Sequence, residues 1–235
     1  MKTIKRRAMA VVMTLVLLAW SWVALGGDIH DAAASGDVEK VKGLINVSGK
    51  VIDPQMNGVA NARVYAFLRS DKAEQSKIIK ETISSVDGSF KFTDLISPDT
   101  RHGYYIFIAT ATNFAIGWKH QTEKTSLEGV EITLGIPGSI SGQVVDNKGE
   151  PIQDVLIKVR TISLGEDFSY VNYLYLPDYI SLACNSTDRN GKFTITNLPQ
   201  QANVSLSLLH KEYYTKDSMR NVSVGAHDLK YTLGP

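Results

Sequence analysis

The chain repeats itself, and that constrains its fold more than any other feature. Val47-Ser48-Gly49-Lys50-Val51-Ile52-Asp53 returns as Ile140-Ser141-Gly142-Gln143-Val144-Val145-Asp146, an offset of 93 residues from 47 to 140. A second landmark returns as well. Ser85-Val86-Asp87-Gly88-Ser89-Phe90-Lys91-Phe92-Thr93-Asp94-Leu95 matches the stretch Thr187 to Leu198, with Phe90 answered by Phe193 and an offset of 103. The second copy therefore carries about ten extra residues between its second and third strands, and internal duplication is read directly from the residues.

Within each copy, short period-two segments alternate with turn residues. After the opening strand comes a turn (Asn57-Gly58; Asn147 to Pro151) and then a second strand (Ala62 to Leu68; Val155 to Ile162). Phe90/Phe92 and Phe193/Ile195 point to one face, because side chains alternate along a strand. Asp87-Gly88 and Asn190-Gly191 supply the positive φ of a tight hairpin without a Cβ penalty. A copy of about 90 residues with this pattern predicts a small β-sandwich with its own core. The expected fold class is all-β, two tandem immunoglobulin-like sandwiches of about seven strands each. Residues 46–136 form the first and 137–235 the second, with Pro137-Gly138 at the boundary.

The N-terminus reads differently. Lys2, Lys5, Arg6 and Arg7 precede an apolar stretch from Ala8 to Leu25, and Ala24-Leu25-Gly26 offers small residues for cleavage. Residues 1–26 are expected to be a signal peptide, with an uncleaved membrane anchor as the alternative. The expected location is thus exported: periplasmic, cell-surface or extracellular. Residues 27–45 are read as a short helical spacer, since Ile29, Ala32 and Ala33, then Val38, Val41 and Ile45, fall at helical spacing. His30, Ala32, Ala33, Gly36, Val41, Leu44 and Ile45 resemble part of an ankyrin repeat. One such unit cannot bury its own apolar face, so no ankyrin array is implied.

The duplicated unit resembles the carboxypeptidase regulatory-like domain, a transthyretin-like sandwich. The resemblance rests on Gly49-Lys50-Val51 and Gly142-Gln143-Val144, on Gly149-Glu150-Pro151-Ile152-Gln153-Asp154-Val155, and on the Asp-Gly and Asn-Gly turn segments. The first copy lacks the proline of the second motif. Members of that family are accessory modules, and related folds bind glycans. The resemblance implies a structural or binding role and no activity of its own.

No catalytic constellation appears. His30, His102, His120, His210 and His227 do not pair at metal-ligand spacing, and the single Cys184 provides neither zinc framework nor disulfide. Ser139 and Ser141 lie among glycines without forming a nucleophile elbow. Asp188-Arg189-Asn190-Gly191 lacks the further acidic ligands of a calcium loop. Neither cofactor, metal nor enzymatic activity is expected. A formal charge of +1 gives no footing for nucleic acid. Pilin-type sandwiches form Lys–Asn cross-links in their cores, but alternation places Lys50 on the outer face. Asn46, Asn185, Asn203 and Asn221 each begin an Asn-x-Ser/Thr sequence, which matters in a glycosylating host.

The insertion in the second copy is the main candidate site. Phe168, Tyr170, Tyr173, Tyr175 and Tyr179 fall within twelve residues. Such rings suit stacking on sugars or docking a protein, while alternation of Tyr173, Tyr175 and Tyr179 equally marks an extended strand covering the sandwich. Trp118, beside Lys119 and His120, is the second candidate contact. The expected function is a non-catalytic structural or interaction module presenting a surface at the cell envelope. The alternative is carbohydrate binding through these aromatics, and a weaker one is an accessory subunit of a separate enzyme. The expected partner is an envelope protein or polysaccharide, and a membrane only if the leader is retained.

Overall fold

In the computed structural model the described residues are 44–70, 76–97, 103–121, 127–165, 172–176, 182–213 and 219–234. The leader and residues 27–43 of the expected helical spacer lie outside them. Leu44 and Ile45, assigned above to that helix, instead open strand β1, Leu44–Ile52. The period-two pattern of the first copy thus begins earlier than its repeated motif, and it overrides the helical spacing.

The first copy contains β1, β2 (Arg63–Ser70), β3 (Lys77–Ile83), β4 (Ser89–Ile96), β5 (Gly103–Thr110), β6 (Gly117–Gln121) and β7 (Leu127–Thr133). They make a three-stranded sheet, β4-β1-β7, and a four-stranded sheet, β3-β2-β5-β6. Val47, Val51, Phe92 and Ile132 from the first sheet meet Val64, Tyr105 and Phe107 from the second in one buried cluster. Phe92 and Phe107 stack at 5.9 Å, and Tyr105 and Phe107 at 5.7 Å. Tyr105 is fully buried, and its hydroxyl donates to the Ile96 carbonyl at 2.7 Å. Burial pushes that phenol up to about 12.

The second copy contains β8 (Pro137–Asp146), β9 (Leu156–Leu164), β10 (Tyr173–Tyr175), β11 (Cys184–Ser186), β12 (Lys192–Pro199), β13 (Ala202–Leu209), β14 (Met219–Ser223) and β15 (Leu229–Leu233). The topology is that of the first copy: β12-β8-β15 faces β10-β9-β13-β14. In both copies the last strand runs parallel to the first, β7 along β1 and β15 along β8. The difference lies at one edge. β3 is a single strand along β2, whereas β9 pairs with β11 near residue 157 and with β10 near residue 162. The ten-residue excess thus splits one edge strand into two.

The duplicated motifs have duplicated causes. A Cβ on Gly49 would lie 2.0 Å from the Val130 carbonyl oxygen, and one on Gly142 would lie 2.3 Å from that of Leu229. The glycine of each Gly-x-Val motif is what lets the parallel last strand approach. Gly88 (φ 81°) and Gly191 (φ 68°) turn the third motif, as the sequence predicts. Ser84 and Thr187 hold equivalent buried places. Each hydroxyl accepts from a backbone N–H of the second strand's approach (Ala62, Val155) and donates to a carbonyl before it (Val59, Ile152) at 2.7–2.9 Å. Asp53 and Asp146 each accept two backbone N–H bonds across the first turn.

Lys50 stands outside the core, more than half exposed and 3.8 Å from Asp87. Hydrogen bonds from Ser85 and then Ser89, with Lys50 last, hold the Asp87 carboxyl well below the usual range.

Candidate functional site

The four-stranded sheet of the first copy and the five-stranded sheet of the second differ on their outer faces. In the first copy that face carries Phe67 on β2, Ile106 and Ile108 on β5, and Trp118 on β6. Phe67 and Ile108 are 0 % exposed, yet they do not belong to the first core. They and Ile116 join the apolar cluster of the second sandwich, with Tyr65, Tyr104 and Trp118 partly buried against it. Strand β5 is therefore buried on both sides, and the sandwiches share a seam. Residues Ile45–Pro235 form one compact unit.

Polar contacts fasten the seam. His120 Nε2 donates to the Tyr173 carbonyl at 2.9 Å. The Ile116 N–H reaches the Asn197 carbonyl at 2.9 Å, and the Gln200 N–H that of Ile136 at 3.1 Å. Burial lowers the His120 pKa, opposed by its bond to Tyr173. The ring sits 5.8 Å from that of Tyr104. Arg69 of the first sandwich lies over the Tyr175 ring with Cζ 4.6 Å from its centroid, and Arg160 of the second lies at 5.7 Å. Arg160 Nη2 also donates to the Tyr175 hydroxyl at 3.0 Å. Such cation–ring contacts are worth about 0.5–2 kcal/mol each, more when shielded from water.

The outer face of the five-stranded sheet is polar along its middle. Its central strand β13 alternates strictly: Val204, Leu206 and Leu208 are buried inward, and Asn203, Ser205 and Ser207 face out. With Arg160, Tyr173, Tyr175 and Asn221 these outward residues line a groove of about 640 Å³. Thr161 and Ser205 share a hydroxyl–hydroxyl bond of 2.5 Å, and the Ser223 hydroxyl donates to Asn203 Oδ1 at 2.8 Å. Ser207 Oγ is buried with no hydrogen-bond partner among the described residues. None of the described residues lining the groove is acidic. A second hollow of about 570 Å³ opens along the seam between Tyr65, Phe114, Leu182 and Asn197, beside the Arg63–Glu81 ion pair at 3.3 Å.

Of the residues singled out from sequence, Tyr173 and Tyr175 come together on the groove wall. Trp118 sits instead on β6 at the seam, paired with Ile108 of β5. Tyr170 and Tyr179 lie outside the described residues. Sequence reasoning missed Arg69, Arg160 and the serines of β13, and named His120 only as a neighbour of Trp118. The seam itself had a legible signal, the unbroken run Tyr104-Tyr105-Ile106-Phe107-Ile108-Ala109, which is what a strand buried on both faces looks like. No group of three or more His, Cys, Asp or Glu suited to a metal occurs among the described residues.

No family model and no curated protein matches the chain. Several solved structures are similar in part. A shaft pilin, SpaA from Lactobacillus rhamnosus GG, aligns at 9 % identity over 82 % of this chain and 98 % of its own, with a TM-score of 0.33. A streptococcal ancillary pilin aligns at 13 % identity and TM-score 0.34, over 82 % of this chain and 62 % of its own. The major pilin RrgB from Streptococcus pneumoniae aligns at 11 % and 0.32, over 82 % of this chain and 48 % of its own. At these values no function is carried across.

Proposed function

We propose that the protein is a non-catalytic structural and interaction module of the cell envelope, exported by its N-terminal leader. The observation that supports this most is the shared seam. Phe67, Ile106 and Ile108 are removed from water against a second sandwich rather than left for a partner, at about 1.5–3 kcal/mol per fully buried side chain. Two sandwiches held in one orientation make a spacer that presents a defined surface. The finer identity of each copy as a carboxypeptidase regulatory-like domain rests on the glycine and turn motifs and on the parallel last strand. Fractionation of cells producing the full chain with a C-terminal epitope tests the reading. Recovery in the envelope or the medium is expected, and recovery wholly in the cytoplasm would contradict it.

A second reading, carbohydrate binding, is favoured by one specific observation. The groove gathers hydroxyls, amides and an arginine on one open sheet face. Recognition there would run through hydrogen bonds more than ring stacking, because the Tyr175 ring is already engaged by Arg69 and Arg160.

A further inference from the structure

From the two Asn-Gly sequences of the chain, Asn57-Gly58 and Asn190-Gly191, we infer that Asn57 is a site of spontaneous deamidation and that the fold protects Asn190 from the same reaction. The inference is independent of the envelope reading above. In this reaction the Gly58 N–H gives its proton to hydroxide, and the nitrogen attacks Asn57 Cγ. The Cγ–Nδ2 bond breaks, and ammonia leaves with a proton taken from water. Water then opens the cyclic imide. Cleavage of the new bond between Cγ and the Gly58 nitrogen leaves aspartate. Cleavage at the backbone carbonyl leaves isoaspartate, with the chain running through Cβ. The reaction needs a glycine N–H that is not already engaged, and it needs access for water.

Two observations carry it. The first is the state of the two glycines. Asn57 and Gly58 are both exposed, and the Gly58 N–H has no hydrogen-bond partner among the described residues. Gly191 is buried, and its N–H donates to the Asp188 carbonyl at 2.9 Å. The second is the duplication. The Asp53 N–H bonds the Asn57 carbonyl as the Asp146 N–H bonds that of Glu150, and Ile52 bridges Gly58 as Val145 bridges Pro151. Where the first copy has Asn57-Gly58, the second has a residue with no carboxamide to lose before one with no N–H to attack. At this turn the reactive pair belongs to the first copy alone. The surroundings set the consequence. Asn57 Nδ2 donates to Asp53 Oδ2 at 3.1 Å, so the reaction replaces that donor with a second carboxylate. Like charges at this separation repel, and the turn loosens. A Cβ on Gly58 would lie 2.0 Å from the Asp87 carbonyl oxygen, so the longer backbone of isoaspartate has no room on that side.

The test is peptide mapping by mass spectrometry of the full-length protein, incubated in heavy-oxygen water at mildly alkaline pH. Label is expected to enter at Asn57 about two- to tenfold faster than at Asn190, the worth of the one hydrogen bond that holds the Gly191 N–H. A sample unfolded in guanidinium is expected to label both positions at similar rates, which separates the effect of the fold from that of the sequence. Asn57→Gln should suppress labelling at its own position and leave that at Asn190 as it was. Folded protein that labels Asn190 as fast as Asn57, or that leaves Asn57 unlabelled, would overturn the inference. So would an unfolded sample that kept the same preference. Converted protein, separated by its added negative charge, is expected to unfold at lower denaturant than the unconverted form. Equal midpoints would overturn the consequence drawn for the turn. None of these outcomes bears on fractionation, so the envelope reading stands or falls separately.

Discussion

Single residues decide the turns and the joints between strands. Gly191 has φ 68°, and a Cβ there would meet the Val144 carbonyl oxygen at 2.3 Å. Gly191→Val is expected to destabilise the second sandwich by about 2 kcal/mol, within the usual cost of a strained backbone position. Chemical denaturation with an unchanged midpoint would refute it. Thr187 supports a comparable prediction. Its hydroxyl satisfies both the Val155 N–H and the Ile152 carbonyl in a buried site. Thr187→Val leaves both groups unpaired and should cost about 1–3 kcal/mol, whereas Thr187→Ser should restore most of it. Equal stability of the two variants would show that the hydroxyl does not matter. Gly191 was legible in the sequence from its turn motif. Thr187 was not, because a threonine after a strand has many ordinary uses and only the folded backbone brings Ile152 beneath it.

At the scale of elements, alternation carried most of the information. β4 and β12 bury Phe90, Phe92, Phe193 and Ile195 on one face, as period two predicts. The split of the edge strand into β10 and β11 was legible only as an excess of length, since spacing says how many residues are added and not where they pair. The Tyr-rich insertion turned out to be shared between a strand and a joint. β10 sends the Tyr173 carbonyl to His120 of β6, so this contact couples the insertion to the first sandwich. Burial favours neutral His120, and the bond to Tyr173 requires the proton on Nε2. The folded state therefore binds a proton less readily than the unfolded chain, whose histidine titrates near 6.5. The contribution of this contact is fully present above about pH 6.5 and declines as pH falls below it. Melting temperatures should drop between about pH 7.5 and 5.5, and more in the native protein than in His120→Gln, which keeps a donor without the titration. Identical slopes for the two proteins would remove His120 from the account.

For the whole molecule, the duplication made the fold class readable and left the relation between the copies hidden. The run from Tyr104 to Ala109 signalled a strand buried on both faces, but nothing in it named the second sandwich as its cover. In a folded chain the answer comes from long-range packing, with Phe67, Ile106 and Ile108 entering the core cluster of the other copy. Ile108→Asp would place a charge in that seam and should separate the sandwiches while each retains its own sheets. The most direct test of the docked arrangement is a spin-label distance measurement between Lys91→Cys and Thr194→Cys, two exposed and equivalent positions, with Cys184→Ser removing the native thiol. A single narrow distance distribution that broadens on adding Ile108→Asp is predicted. A broad distribution in the protein with Ile108 intact would contradict a fixed seam, and with it the reading of the molecule as one docked structural module.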